Sequence, residues 1–178
     1  MPSIAIIGIG NILFSDDGAG VYTVKLLEQN YTFSPHVDLI DGGTLGFKLL
    51  DLLQSYEKVI IIDTISSDDK VGTVFTMPAS ELCELATLRQ TAHEVEVVEM
   101  LKMAELFESS AQVTIIGIVP EDIDTVRFYL SGDVESQVPL IVEQVCKVLK
   151  RWGVESEHNV QKIDCATIVR SYQEDQLG

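Results

Sequence analysis

Four short apolar runs rich in β-branched residues, IAIIGI from Ile4, VDLI from Val37, KVIIIDTI from Lys58 and QVTIIGIV from Gln112, recur along the chain with helix-period segments between them. The third run is apolar on both faces, as a strand buried at the centre of a parallel sheet must be. After the first run, Val21, Val24 and Leu27 recur at helical spacing, with Lys25 and Glu28 on the opposite side. GFKLLDLL follows the second run, a helix from about Glu94 to Phe107 precedes the fourth, and Pro139 to Trp152 predicts a last helix with Pro139 in its first turn. GTVFTM, after SSDDKV, reads as a hairpin-linked edge strand. This alternation predicts an α/β fold, a three-layer α/β/α sandwich around a mostly parallel twisted sheet of about five strands.

With 178 residues the chain is long enough to bury one sizeable core without metals or disulfides. Residues 1–153 read as a single α/β domain, and 154–178, which open on the polar VESEHNVQKID, as a tail or a short accessory helix around Ala166 to Tyr172. No apolar run approaches the roughly 18 residues of a membrane span. Asp and Glu number 28 against 12 Lys and Arg, a formal charge of −16, so nucleic acid meets a repulsive field and a cation or a basic partner fits better. The start, MPSIAIIG, lacks the basic segment and cleavage site of a secretory signal. Cys83, Cys146 and Cys165 are widely spaced, as reduced thiols of a cytoplasmic protein would be. Without a long heptad pattern, a monomer is expected.

In open parallel sheets the working crevice lies outside the carboxyl ends of the strands. Asp16 and Asp17 follow the first strand, Asp41 ends the second, Asp63 ends the third, and Glu121 and Asp122 follow the fourth. The opening GIGNILFSDDGAGV imitates a dinucleotide fingerprint, but Leu13 stands where the third glycine belongs and two carboxylates occupy the phosphate position. The Gly-Lys-Ser/Thr of a P-loop is missing too. Asp16 and Asp17 could serve merely as caps and first-turn acids of the following helix. Asp63 is harder to explain so, because a carboxylate closing an IIID strand sits at the edge of the core, where burial is costly unless something binds it.

His93 lies in TAHEVEVVEML, where Thr91 and Glu94 have capping-box spacing, so its ring belongs in a helix first turn, where a neutral imidazole can ligate metal. A surface histidine beside a cap is the plainer reading. Val97 stands where a zinc protease needs its second histidine, and no G-x-S-x-G elbow occurs. Asp17, Asp63 and His93 together make a three-ligand site with open positions for a first-row divalent ion. His36 precedes a strand, at the wrong edge, and His158 lies in the polar tail.

GIGNILFSDDGAGV, DGGTLG, IIIDTI, TAH before an amphipathic helix and IIGIVPE occur in that order over about Ile4 to Trp152. In this the chain resembles the hydrogenase maturation endopeptidases, which trim the C-terminus of the large subunit of [NiFe] hydrogenases. The resemblance implies a peptidase whose partner is the nickel-loaded precursor of a large subunit. Asp17, Asp63 and His93 would then be ligands that recognise nickel carried by the substrate rather than a resident ion. It further implies Asp41, in the DGG turn, as a substrate contact, with Asp16 or Asp41 placed to handle a proton. Two rivals stand beside it: a non-enzymatic nickel-binding or carrier protein, which would use the same three ligands, and a doubly wound nucleotide-dependent enzyme, which the missing third glycine and the acids at the helix start oppose.

Overall fold

The computed structural model describes residues 3–44, 46, 48–85, 92–107, 109, 111–160 and 162–177. In chain order the elements are β1 (Ile4–Ile9), a 3-10 turn (Ser15–Gly18), α1 (Ala19–Asn30), β2 (Tyr31–Ser34), β3 (Asp38–Gly43), α2 (Lys48–Ser55) and β4 (Lys58–Thr64). There follow β5 (Val74–Pro78), α3 (Ala79–Leu85), α4 (Ala92–Leu106), β6 (Gln112–Ile118), α5 (Gly132–Arg151), β7 (Glu155–His158) and α6 (Cys165–Leu177). Five strands form one sheet in the order β3-β1-β4-β6-β5, parallel except for β5. The expected architecture is therefore the one observed.

Side chains on successive strand residues point to opposite faces, and the core divides accordingly. Ile4, Ile6, Ile60, Ile62, Ile116 and Ile118 pack against α1, α5 and α6. Ala5, Ile7, Ile9, Val59, Ile61 and Ile115 pack against α2, α3 and α4. Since both faces are covered, the central strands carry no polar alternation. Buried polar groups, Ser15, Asp16, Asp17, Asp63 and Thr64, gather at the carboxyl ends of β1 and β4.

Two local expectations are corrected. GTVFTM is an edge strand, but it pairs antiparallel with β6 rather than forming a hairpin with β4, because β6 fills the place beside β4 with a seven-residue parallel ladder. Pro139 does not open the last helix. Ser131 caps it, its side chain accepting the Val134 amide, and Pro139 lies inside, carried by the buried face of Val134, Val138, Ile141 and Val142. The two-stranded sheet of β2 and β7 was not anticipated at all.

Beyond residue 153, α6 is packed against the rest. Cys165, Ile168 and Val169 are buried, and the Tyr172 ring meets Tyr22 edge-on at 5.5 Å. Asn30, at the end of α1, fixes the approach to α6: its side-chain amide donates to the Ile163 carbonyl at 2.7 Å, and its oxygen accepts the Ile163 amide at 2.8 Å. Asn30→Ala would leave both backbone groups unpaired at a half-buried site, and is expected to lower stability by about 2 kcal/mol. Urea unfolding measures this, and a midpoint equal to the parent's would show that Asn30 is not what holds this segment.

Candidate active site

The chain leaving β1 must reverse to enter α1. Gly10 makes the reversal with φ +128°, and a Cβ there would lie 1.7 Å from the Asp17 carbonyl oxygen. Only a residue without a side chain lets the two backbones meet so closely. Gly20 serves the helix start in the same way, since its Cβ would fall 2.3 Å from the Ile62 carbonyl oxygen and 2.4 Å from that of Ile9. These approaches draw the Ser15–Gly18 turn over the carboxyl ends of β1 and β4. Asp17 and Asp63 thereby stand at neighbouring strand ends.

Ser15 takes φ +45°, a left-handed conformation that costs a non-glycine residue on the order of 1–3 kcal/mol. It is held there by its amide, which donates to the Arg127 carbonyl at 2.9 Å, and by its hydroxyl, which donates to the Tyr129 carbonyl at 3.3 Å. The segment after β6 thus supports the turn that follows β1.

Asp16 completes that support. Its carboxylate has no exposed surface and accepts four hydrogen bonds: from the amides of Glu121 (2.8 Å), Asp122 (3.2 Å) and Ser131 (2.6 Å), and from the Ser131 hydroxyl (2.8 Å). The sequence reading offered Asp16 for proton handling, whereas four donors enclosing it suit a brace between the Ser15–Gly18 turn and the start of α5. Ser131 was missed by that reading. Its signal was the S-G-D-V-E of a helix start, which announces a cap but not a second partner 115 residues away.

Asp17 and Asp63 are almost fully buried, 2% and 3% exposed. One Asp17 oxygen accepts the Asn11 amide at 2.7 Å, and one Asp63 oxygen accepts the Thr64 amide at 2.8 Å. Asp41, at the end of β3, is exposed; it accepts the Gly43 amide at 3.0 Å and, at 3.5 Å, the Tyr172 hydroxyl. His93 is the second residue of α4, but its side chain lies outside the described residues, as does Thr91 of the expected capping box. The start of α4 is at the same sheet edge, because Glu96, Val97 and Met100 share a small cavity with Ile9, Thr44 and Gly46. Among the described residues no three His, Cys, Asp or Glu side chains gather as a metal cage.

The remaining histidines are at the other edge: His36 bonds Asp38 at the start of β3, and His158 meets the Tyr31 hydroxyl across β2 and β7. Glu121 and Asp122 serve Asp16 through their amides, while the Asp122 carboxylate caps its own turn by accepting the Asp124 and Thr125 amides. A hydrogen bond from the Thr125 side chain, together with those amides, holds the Asp122 carboxyl below the usual range. Burial pushes all three thiols up, Cys165 to about 12, with the Glu135 and Asp164 carboxylates adding to it. None is an activated nucleophile.

Fold and site define an α/β protein with buried carboxylates gathered at the carboxyl ends of its central strands. Residues 21–148 match the hydrogenase maturation protease (HycI) family, a span that contains Asp41, Asp63 and His93 and begins just after Asp17. The chain is 32% identical over 155 residues to the hydrogenase 2 maturation protease of Escherichia coli K12, covering 86% of this chain and 94% of that one. It is 36% identical over 148 residues to protein HydD of Wolinella succinogenes, covering 81% and 91%. The solved hydrogenase maturating endopeptidase HybD of E. coli superposes with a TM-score of 0.81 at 30% identity, covering 88% of this chain and 98% of that one. The chain belongs to the hydrogenase maturation protease family, and is an endopeptidase.

If Asp16 is the brace, Asp16→Ala strands four part-buried donors and should cost about 3 kcal/mol, while Asp16→Asn, which keeps an acceptor oxygen, should cost clearly less. Urea midpoints of the two variants decide it. An Asp16→Ala protein as stable as its parent would remove the brace from the account.

Proposed function

We propose that this endopeptidase removes a C-terminal segment from the precursor of a [NiFe] hydrogenase large subunit, and that Asp17, Asp63 and His93 recognise nickel already seated in that substrate. The supporting observation is the pair of buried carboxylates at adjacent strand ends, with the first turn of α4 at the same edge. Two carboxylates at one strand-end edge offer anionic oxygen ligands, and an ion delivered by the substrate brings the complementary charge. Two carboxylate oxygens and a neutral imidazole suit a borderline divalent ion whose other positions are filled by the substrate's own ligands. A precursor without nickel cannot offer this interaction, so the ion acts as a checkpoint.

Asp41 is the exposed carboxylate of the set and the one placed to exchange protons with solvent. We assign it the proton released as water adds to the scissile carbonyl carbon, and its delivery to the departing amine as the C–N bond breaks. Asp16 touches neither water nor substrate in this scheme and acts by positioning Asp17. The reading is of a cytoplasmic monomer without a resident cofactor; no described helix is long and apolar enough to cross a membrane. Family membership favours this reading over a non-enzymatic nickel carrier.

Mixing the protein with nickel-loaded precursor and following intact mass tests the proposal. Loss of a C-terminal peptide is expected from nickel-loaded but not nickel-free precursor, with Asp63→Ala and His93→Ala slower by about 100-fold or more. Equal cleavage with and without nickel, or parental rates in both variants, would overturn the checkpoint.

A further inference from the structure

An endopeptidase must hold an extended piece of its substrate beside its catalytic groups, and one strand of this sheet ends there with a side unoccupied. The sheet order terminates at β3, whose single partner strand is β1. Among the described residues no element pairs with its outer edge, and Asp38, Leu39 and Ile40 are half-buried where the central strands are wholly covered. Such an edge carries a row of backbone donors and acceptors ready for another chain.

The carboxyl end of β3 leads into the site. The Gly43 carbonyl accepts the Gly10 amide at 2.9 Å, tying the strand to the loop that carries Asn11, whose amide in turn binds Asp17. A cavity of about 250 Å³ opens there, lined by Asn11, Ile12, Val21, Asp41 and Thr44 among others. The opposite edge, β5, lacks these properties: it is separated from β1 by β4 and β6, and it ends in Pro78, which offers no amide.

We propose that the outer edge of β3, Asp38–Gly43, is the track on which the scissile segment of the substrate docks, adding as a strand and passing its peptide bond to Asp41 and the adjoining cavity. This rests on the protease reading above. Main-chain hydrogen bonds fix register and extended shape whatever the side chains, which is how an edge strand grips a peptide. Asp38 and Asp41 on the track, in a chain of net charge −16, favour a segment carrying basic residues.

Short-pulse hydrogen exchange, read by mass spectrometry on the parental enzyme mixed with excess nickel-loaded precursor, tests the track while cleavage is followed in the same mixture. Exchange across residues 38–43 should slow by about fivefold or more with precursor, and not with the mature large subunit lacking the extension, while 74–78 stay unchanged. Cleavage without protection of β3 overturns the track and leaves the protease reading intact. Protection without cleavage supports the track and counts against the assigned reaction, and no protection at all overturns the track.

Leu39→Pro and Ile40→Pro give an independent check, because alternate residues of a strand direct their amides to opposite sides, so one substitution spares the ladder to β1. The variant that keeps the parental unfolding midpoint should raise KM about tenfold with kcat little changed. An unchanged KM in that variant contradicts the track. If neither folds, the exchange experiment decides.

Discussion

Asp16 joins two parts of the chain that lie far apart in sequence: the turn after β1 and the segment between β6 and α5. Both carboxylate oxygens accept bonds, three of the four from backbone amides, in a place without solvent. Charge-assisted bonds of this kind are short and directional, and losing the acceptor would leave every donor exposed to the full cost of burial. The left-handed Ser15, the close backbone approach at Gly10 and the entry of α1 at Gly20 all depend on that turn staying where it is. The next residue along, Asp17, inherits the position.

This arrangement divides labour between adjacent aspartates. One is spent inside the fold, and the other is presented at the strand ends beside Asp63. In the proposed function the second aspartate is offered to a cation that the substrate brings. Asp41 differs in being exposed and in sitting at the end of an edge strand, where both solvent and a docked chain can reach it.

The layers were legible because they follow from periodicity, and the candidate site was placed from the same strand ends. Runs such as KVIIIDTI announce a buried parallel strand, and an aspartate that closes one has few structural reasons to be there. Less could be read where partners are remote. Nothing in SDDG separates the brace from the proposed ligand, since Asp16 is defined by amides at positions 121, 122 and 131. Pro139 looked like a helix start because proline favours first turns, yet Ser131 eight residues earlier and the buried valines between them extend the helix through it. The pairing of β2 with β7 joins residues more than 120 positions apart, and Asn30 bonds Ile163, 133 residues on, which no local pattern encodes.

Nickel K-edge X-ray absorption of the nickel-loaded precursor, alone and freeze-quenched in complex with this chain, looks straight at the proposed contact. On binding, oxygen and nitrogen neighbours should join the sulfur ligands around the ion, and Asp63→Ala should reduce that gain. A spectrum that stays unchanged on binding, while the parental enzyme goes on to cleave the same sample, would mean that Asp17, Asp63 and His93 do not touch the metal and that the carboxylates at these strand ends serve another purpose.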